Sequence, residues 1–481
     1  MNFAIVRYLI GWMLGIESIF LLLPALTAVI YDEAELPAYL TAAAISLAGA
    51  ALLCYRKPKN TRFYAREGYV TVALCWLVLA VIGALPFVLS REIPFFIDAL
   101  FETVSGFTTT GATILGDVEA LSHASMLWRC LTHWVGGMGV LVFMLIVLPL
   151  AGGQTIFLMR AESPGPAVSK MSPHMRDTAT ILYAIYFGLT VLQMILLLIG
   201  GMPFFDAICV SLGTAGTGGF GNWNDSIAHY NSAYLQNVIT VFMILFGINF
   251  SAYFLILTRK FRQAFRIEEI RVYLGVIFVF AGLIAFNVRP MFGSLRESFH
   301  HALFQVASII TTTGFSTVDF DRWPTFSRAL LVLLMFIGAC AGSTGGGIKC
   351  SRILLLGKSV KKEMMCLIHP RLVRVNKMDG QRVPHEVMRS INVFVVAYAF
   401  VFILSLLIIS LNCEDLVTCF TSVATTLNNV GPGLSLCGPT CNFDFFPPLS
   451  KCVLIFDMLA GRLELFPMLL LFTPGTWQRN K

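Results

Sequence analysis

Charge is what this chain of 481 residues has least of: Lys+Arg 34 and Asp+Glu 27 amount to 13% of the sequence, about half the roughly 25% usual in soluble domains. That shortage excludes a soluble enzyme, a disordered chain and a nucleic-acid reader, whose footprint is a basic surface. Cysteine is present twelve times but without framework spacing. Only Cys437 and Cys441 are close, in C-G-P-T-C, one residue too long for a redox motif, with no histidine nearby to complete a zinc set. They read as buried or loop thiols, or as a surface disulfide if their loop meets an oxidising side. Nucleotide motifs are missing too. Gly342–Lys349 imitates a phosphate loop, but its lysine comes one place late and Cys350 stands where Ser/Thr belongs; G-T-G-G-F-G at 216–221 has no βαβ unit around it. No nucleophile–base pair lies in the apolar runs, where His133 beside Trp134 reads as a packing residue. The expectation is a non-enzyme with no cofactor of its own.

Apolar residues fill the space the charges leave. They make up 57% of the chain at a mean hydropathy of +0.77, which marks an integral membrane protein. At roughly 20 apolar residues per crossing, spans are expected near 3–30, 36–55, 70–90, 125–150, 178–200, 234–257, 271–289, 327–357, 390–412 and 450–473. Ten spans put both termini on one side. Basic residues crowd 56–66, 160–176, 259–271 and 349–389 and are few in the alternate loops, so the positive-inside rule places the basic loops and both termini in the cytoplasm.

Four shorter segments lie between spans and do not fit a crossing. They end in T-T-T-G111, G-T-G-G219, T-T-T-G314 and N-N-V-G431, at glycine separations of 108, 95 and 117 residues. Counted back from each glycine, position −12 is Ala99, Ala207, Ala302 or Cys419, and position −6 is Ser105, Gly213, Ser308 or Thr425. Small residues in register at four places point to a repeat of span, short helix, loop and span. A helix of about 11 residues rises only about 16 Å, half the hydrocarbon thickness. It must end inside the membrane, and non-helical backbone there is tolerated only where protein buries it or it lines a wet cavity. Four helix C-termini aimed at one point favour a cation. The loops offer carbonyls and small hydroxyls but no carboxylate, which suits a weakly hydrated monovalent ion better than Mg²⁺ or Ca²⁺. Asp98, Glu102 and Asp206 are expected to raise the cation concentration at an outer vestibule, or alternatively to serve helix N-termini.

Two features suggest a gate. Residues 338–347 put five glycines and two small hydroxyls inside the eighth span, and at about 1 kcal/mol per interior glycine the helix should break there. Gly342, Ser343, Thr344, Gly345, Gly346 and Gly347 are the gate candidates. Arg462 sits in the last span, where an arginine costs at least ~2.5 kcal/mol; it faces the cavity or forms a structural pair with Glu464 or Asp457. Lys349 acts with it or snorkels to the aqueous side.

The four loops, H-W-V-G-G-M-G at 133–139, G-A-C-A-G-S-T-G-G-G-I-K at 338–349 and M-L-A-G-R-L-E at 458–464 together resemble the Trk/Ktr/HKT superfamily of potassium transporters, closest to the Trk-type membrane subunit. The resemblance implies an all-α polytopic membrane protein with four pseudo-symmetric M1–P-loop–M2 repeats around a central pore, plus two N-terminal transmembrane helices. On that pattern the N-terminal pair is 1–60, the repeats are 61–155, 170–262, 268–362 and 390–481, and 363–389 is a cytoplasmic basic loop. The family's filter positions fall on Gly111, Gly219, Gly314 and Gly431, preceded by Thr110, Gly218, Thr313 and Val430, and would bind K⁺ through backbone carbonyls. Glycine at 111, where sodium-preferring plant relatives carry serine, argues for potassium. The resemblance further implies potassium uptake across the cell inner membrane, a homodimer, and a TrkA-like cytosolic ring of regulator domains carrying ATP, ADP or NAD, docked on the basic loop beside anionic lipid. A sodium-permeable or ion-coupled transporter of the same fold, or a solute carrier, are the rival expectations.

Overall fold

A computed structural model describes residues 1–58, 64–147, 175–371 and 375–478. The basic residues at 160–174, with Lys59, Arg62 and Arg374, lie outside the described residues, as does the end of the expected 125–150 span. The helices in chain order are α1 Phe3–Ile30, α2 Leu36–Cys54, α3 Ala65–Ser90, α4 Phe96–Phe107, α5 His123–Val147, α6 Met175–Ile199, α7 Phe204–Gly216, α8 Ala233–Phe246 and α9 Phe250–Leu257. After the single turn Phe261–Ala264 come α10 Glu268–Val288, α11 Leu295–Ile310, α12 Thr325–Ile337, α13 Cys350–Ile368, α14 His385–Ile409, α15 Leu416–Leu427, α16 Pro448–Arg462 and α17 Phe466–Leu471, before a last turn at Pro474–Trp477. The only strands among the described residues are Lys377–Met378 and Gln381–Arg382, an antiparallel hairpin in the basic loop.

Among the described residues, six helices are long and apolar enough to cross a membrane: α1, α2, α3, the Thr180–Ile199 part of α6, α10 and α14. The expected 125–150 span forms the continuous helix α5 as far as Val147; the other three expected spans are interrupted, and the interruptions matter. The 234–257 span divides into α8 and α9, which meet at 93°; Asn249 caps the second half by accepting from the Ser251 N–H at 2.8 Å. The 327–357 span stops at Ile337 and resumes at Cys350, as its glycines led one to expect. The 450–473 span was read as continuous, and that is corrected: it ends at Arg462, and Glu464 and Leu465 take left-handed φ of 56° and 68° before α17 begins. Arg462 therefore sits at a helix C-terminus, where its charge meets the negative end of the dipole.

The largest buried cluster joins α1, α3, α4, α5, α15 and α16 through residues such as Leu21, Trp76, Phe101, Trp128, Val423 and Met458. The chain ends meet: Phe3 stacks on Trp477 at 6.5 Å, and Arg7 donates to the Arg56 carbonyl at 2.8 Å. On the same principle the hairpin docks beside α10, where Asp379 accepts the Glu268 N–H at 2.7 Å and Lys358 pairs with Glu268.

Candidate functional site: a ring of four loops above a glycine plug

The short helices α4, α7, α11 and α15 end alike. In each, the residue two before the terminal glycine turns left-handed: Thr109, Thr217, Thr312 and Asn429 have φ of 55°, 56°, 58° and 55°. The next N–H then reaches back five residues, Thr110 to Ser105 (2.9 Å), Gly218 to Gly213 (2.9 Å), Thr313 to Ser308 (2.8 Å) and Val430 to Thr425 (2.8 Å). These acceptors are the small residues at position −6. The closure is a Schellman-type helix end, made four times by residues other than the glycine that normally occupies the left-handed place.

The terminal glycines follow, with φ of 79° at Gly111, 84° at Gly219, 84° at Gly314 and 97° at Gly431. Each packs on the next loop. A Cβ at Gly314 would stand 2.5 Å from the Val430 oxygen, and one at Gly431 2.7 Å from the Thr110 oxygen. At Gly111 the obstacle is the Gly218 oxygen and at Gly219 the Thr313 oxygen, both closer still. The order 111 to 218, 219 to 313, 314 to 430, 431 to 110 closes on itself. The oxygens of Thr110, Gly218, Thr313 and Val430 thus form one ring, each against the neighbouring loop's glycine, and left-handed geometry plus contact leaves no room for a side chain.

Side chains fasten the ring from behind. Asn429 Nδ2 donates to Thr110 Oγ1 at 3.0 Å and to the Met458 carbonyl at 2.9 Å. Thr108 and Thr110 share a hydroxyl contact at 2.8 Å, as do Thr311 and Thr313. His133, fully buried, lies 2.8 Å from the Gly106 carbonyl through Nδ1 and accepts the Phe220 N–H on Nε2 at 3.1 Å. The neutral tautomer with hydrogen on Nδ1 satisfies both contacts. Sequence reasoning gave His133 a packing role and missed that it ties the first loop to the second; its neighbours in space are 27 and 87 residues away in the chain.

The carboxylates expected at a vestibule are spoken for. Glu102 is 1% exposed, pairs with Arg129 at 2.8 Å and accepts from Thr113 and the Ile114 N–H at 3.0 and 3.1 Å, so it holds the chain leaving the first loop and is not an open surface charge. Asp206 accepts from Asn222 (2.7 Å), Trp223 (3.2 Å) and Tyr230 (2.7 Å), doing the same after the second loop. Asp98 binds Lys451 at 2.7 Å. Neither Asp98 nor Asp206 is an N-cap. Asp415 does cap α15, accepting the Val417 and Thr418 N–H groups at 3.2 and 3.0 Å, as Ser294 caps α11. The Thr418 hydroxyl is the main reason its carboxyl is held down to about 2. A folded pKa below the unfolded one favours folding above the normal carboxylate range and loses that contribution as pH falls towards 2. Asp415→Ala is expected to cost about 1 kcal/mol, read as a lower thermal midpoint at pH 7 that converges on wild type in strong acid.

Directly against the ring lies the glycine segment. Gly338, Gly342 and Gly347 take φ of 69°, 70° and 75°, and Lys349 78°. The Gly346 N–H donates to Thr312 Oγ1 at 2.7 Å, and a Cβ on Gly346 would meet the Asn428 oxygen at 2.6 Å. The bend between α8 and α9 grips the segment from another side: Cys340 N–H to Gly247 O at 3.1 Å, and Phe250 N–H to Gly342 O at 3.0 Å. Ser343 closes a local turn on the Cys340 carbonyl at 2.7 Å and receives the Gly345 N–H at 3.3 Å. Lys349 folds back to the Gly345 carbonyl in place of reaching for water. Arg462 completes the enclosure, with Nη1 on the Thr344 carbonyl and Nη2 on the Gly136 carbonyl, both at 2.8 Å. The pairs considered for it go elsewhere: Glu464 binds Arg352 at 2.5 Å, and Asp457 accepts from Ser405 at 2.7 Å.

Glu269 was not expected here. It is 2% exposed and one carboxylate oxygen accepts both the Ala341 N–H (2.7 Å) and the Ser351 N–H (3.0 Å), pinning both ends of the segment. Its place at the start of α10, among ordinary first-turn acids, gave no signal. Glu269→Ala strands two N–H groups, at about 1–3 kcal/mol each. It is expected to lower the thermal midpoint, whereas Glu269→Gln, which keeps an acceptor oxygen, recovers most of the loss. Among the described residues no group of three His, Cys, Asp or Glu side chains could hold a metal ion, and none of the twelve cysteines is in a disulfide, Cys437 being buried and Cys441 exposed.

Ring, glycine segment and flanking apolar helices define a multi-pass membrane protein with a ring of backbone oxygens among its helices. The TrkH family model, described as a cation transport protein, matches residues 37–286 and 279–478. The Trk system potassium uptake protein TrkH of Salmonella typhimurium is 38% identical over 99% of this chain and 100% of its own length. TrkI of Halomonas elongata is 31% identical over 96% and 94%. The crystal structure of the potassium transporter TrkH from Vibrio parahaemolyticus superposes with a TM-score of 0.89 at 33% identity, covering 99% of this chain and 100% of that one. The chain belongs to the TrkH family.

Proposed function

We propose that this chain takes up potassium across the cytoplasmic membrane through the ring of Thr110, Gly218, Thr313 and Val430 oxygens. The closed order of glycine-to-carbonyl contacts carries the reading: uncharged peptide oxygens from four loops replace the hydration shell of a K⁺ ion at the C-terminal ends of four short helices. The names of the relatives support the choice of ion. On this reading the chain divides into an N-terminal pair at 1–60 and repeats at 61–155, 170–262, 268–362 and 390–481.

The segment Gly338–Lys349 is the gate and Arg462 its latch. In this position the guanidinium both holds the segment through Thr344 and repels a cation coming from the ring. Opening requires Arg462 to leave Thr344 and the segment to swing away from Thr312 and Asn428. With both termini in the cytoplasm, the basic loop 363–389 faces a regulator ring that binds ATP, ADP or NAD, and two copies of the chain assemble as a homodimer. The test is growth of a potassium-uptake-deficient bacterium at low K⁺ with the chain expressed, together with ⁸⁶Rb⁺ uptake in proteoliposomes. Rescue and saturable uptake are expected; neither appearing in correctly inserted protein overturns the reading.

A further inference from the structure

One exposed stretch of the chain serves none of this machinery. Between the end of α9 and the start of α10 the sequence reads L-T-R-K-F-R-Q-A-F-R-I at 257–267, with four cations and no acid. Arg259, Lys260, Arg262 and Arg266 are all exposed, and among the described residues none of them enters a salt bridge. Leu257, Phe261 and Phe265 follow at intervals of four and are 65%, 51% and 69% exposed. The stretch is nonetheless fastened from within. The Lys260 N–H donates to the Leu255 carbonyl at 2.8 Å, and buried Ala264 joins the cluster of Ala252, Ile270 and Tyr273. Its outward side carries an apolar stripe beside a row of cations. It lies where the chain leaves one broken span and enters the crossing helix α10, which is the surface of the bilayer.

We propose that this stretch docks an anionic phospholipid, its phosphate headgroup among Arg259, Lys260, Arg262 and Arg266 and its acyl chains along Leu257, Phe261 and Phe265. An apolar face flanked by basic side chains is the composition that seats a segment at the boundary of headgroup and acyl chain. Basic residues next to a span attract anionic lipid. Other occupants answer only half of this surface. A neutral lipid leaves the cations without a counter-charge, and an acidic soluble partner leaves the apolar stripe without cover. A second copy of the chain brings the same positive charge to the contact. Sidedness in the membrane, which needs only cations, leaves the stripe unexplained. The lipid supplies both halves at once.

Occupancy would reach the glycine segment. The stretch continues from the C-terminal end of α9, and at the other end of that helix the Phe250 N–H holds the Gly342 carbonyl at 3.0 Å. A headgroup that fixes one end of α9 therefore bears on the gate through the other, and this consequence, unlike the binding itself, rests on the transport reading. Binding is tested apart from transport, by hydrogen–deuterium exchange of the full chain in nanodiscs of phosphatidylcholine alone or mixed with phosphatidylglycerol. The backbone amides of 258–267 are expected to exchange at least about fivefold more slowly with phosphatidylglycerol, since one basic residue near an anionic surface is alone worth about that factor. The protection should vanish at about 1 M salt, where the screening length falls to about 3 Å. It should also vanish when Arg259→Gln, Lys260→Gln, Arg262→Gln and Arg266→Gln are combined, and persist in Arg259→Lys with Arg262→Lys and Arg266→Lys. Phe261→Ser with Phe265→Ser, which keeps every charge, should weaken it at least about fivefold. Glycerol phosphate in solution should give none, which separates the lipid from free phosphate. Equal exchange of the wild type in the two bilayers overturns the proposal, as does protection that survives salt, the glutamine variant or the serine variant, or that glycerol phosphate reproduces.

Discussion

Arg462→Ala is expected to raise ⁸⁶Rb⁺ flux about tenfold or more while leaving the preference for K⁺ over Na⁺ intact. Two effects add. The variant removes the Nη1 contact to Thr344 and the Nη2 contact to Gly136, freeing the plug on one side. It also removes a like charge near the ring, whose repulsion of a passing cation raises the barrier to flux. A barrier lowered by ~1.4 kcal/mol is already a tenfold rate. Discrimination stays because no ring oxygen belongs to Arg462. Unchanged or reduced flux in folded, inserted Arg462→Ala protein overturns the latch assignment. Arg462→Lys separates the two effects, since it keeps the charge and loses the two-pronged grip.

Gly111→Ser should have the opposite character, losing discrimination. At φ of 79° a side chain costs about 1–2 kcal/mol in backbone strain, and its Cβ collides with the Gly218 oxygen. Relief comes only by moving one ring oxygen, so the four cease to be equivalent. The K⁺/Na⁺ uptake ratio is expected to fall at least tenfold, and growth rescue at low K⁺ to fail, with a thermal midpoint showing that the protein remains folded. Wild-type discrimination in this variant overturns the filter assignment.

Much of this was legible in the sequence, because the repeat is written in residue size. Ser105, Gly213, Ser308 and Thr425 could be aligned by eye, and they prove to be the acceptors that close the short helices. The break at 338–347 was legible for a similar reason, glycine being costly in a helix interior. What escaped detection depends on distance in the chain. Glu102 reads as a pore-mouth acid until Arg129, 27 residues on, is seen to cover it. The bend at Gly247–Asn249 lies within a strongly apolar run, and hydropathy averages over such a break; the end of α16 falls where Arg462 and Glu464 already interrupt the apolar run, a mark that a count of spans passes over. Glu269 and His133 take their meaning from backbone groups that no pattern of side chains reports.

The grip of Arg462 falls on main-chain oxygens at Thr344 and Gly136, not on acidic side chains. At Thr344 a substitution leaves the acceptor in place so long as the backbone holds its course, whereas at Gly136 a Cβ would collide with the Phe107 oxygen and shift the backbone that carries the contact. On the proposed gating, a change of side chain at 344 alone therefore does not free Arg462. On the same proposal, release comes from displacement of whole segments relative to one another.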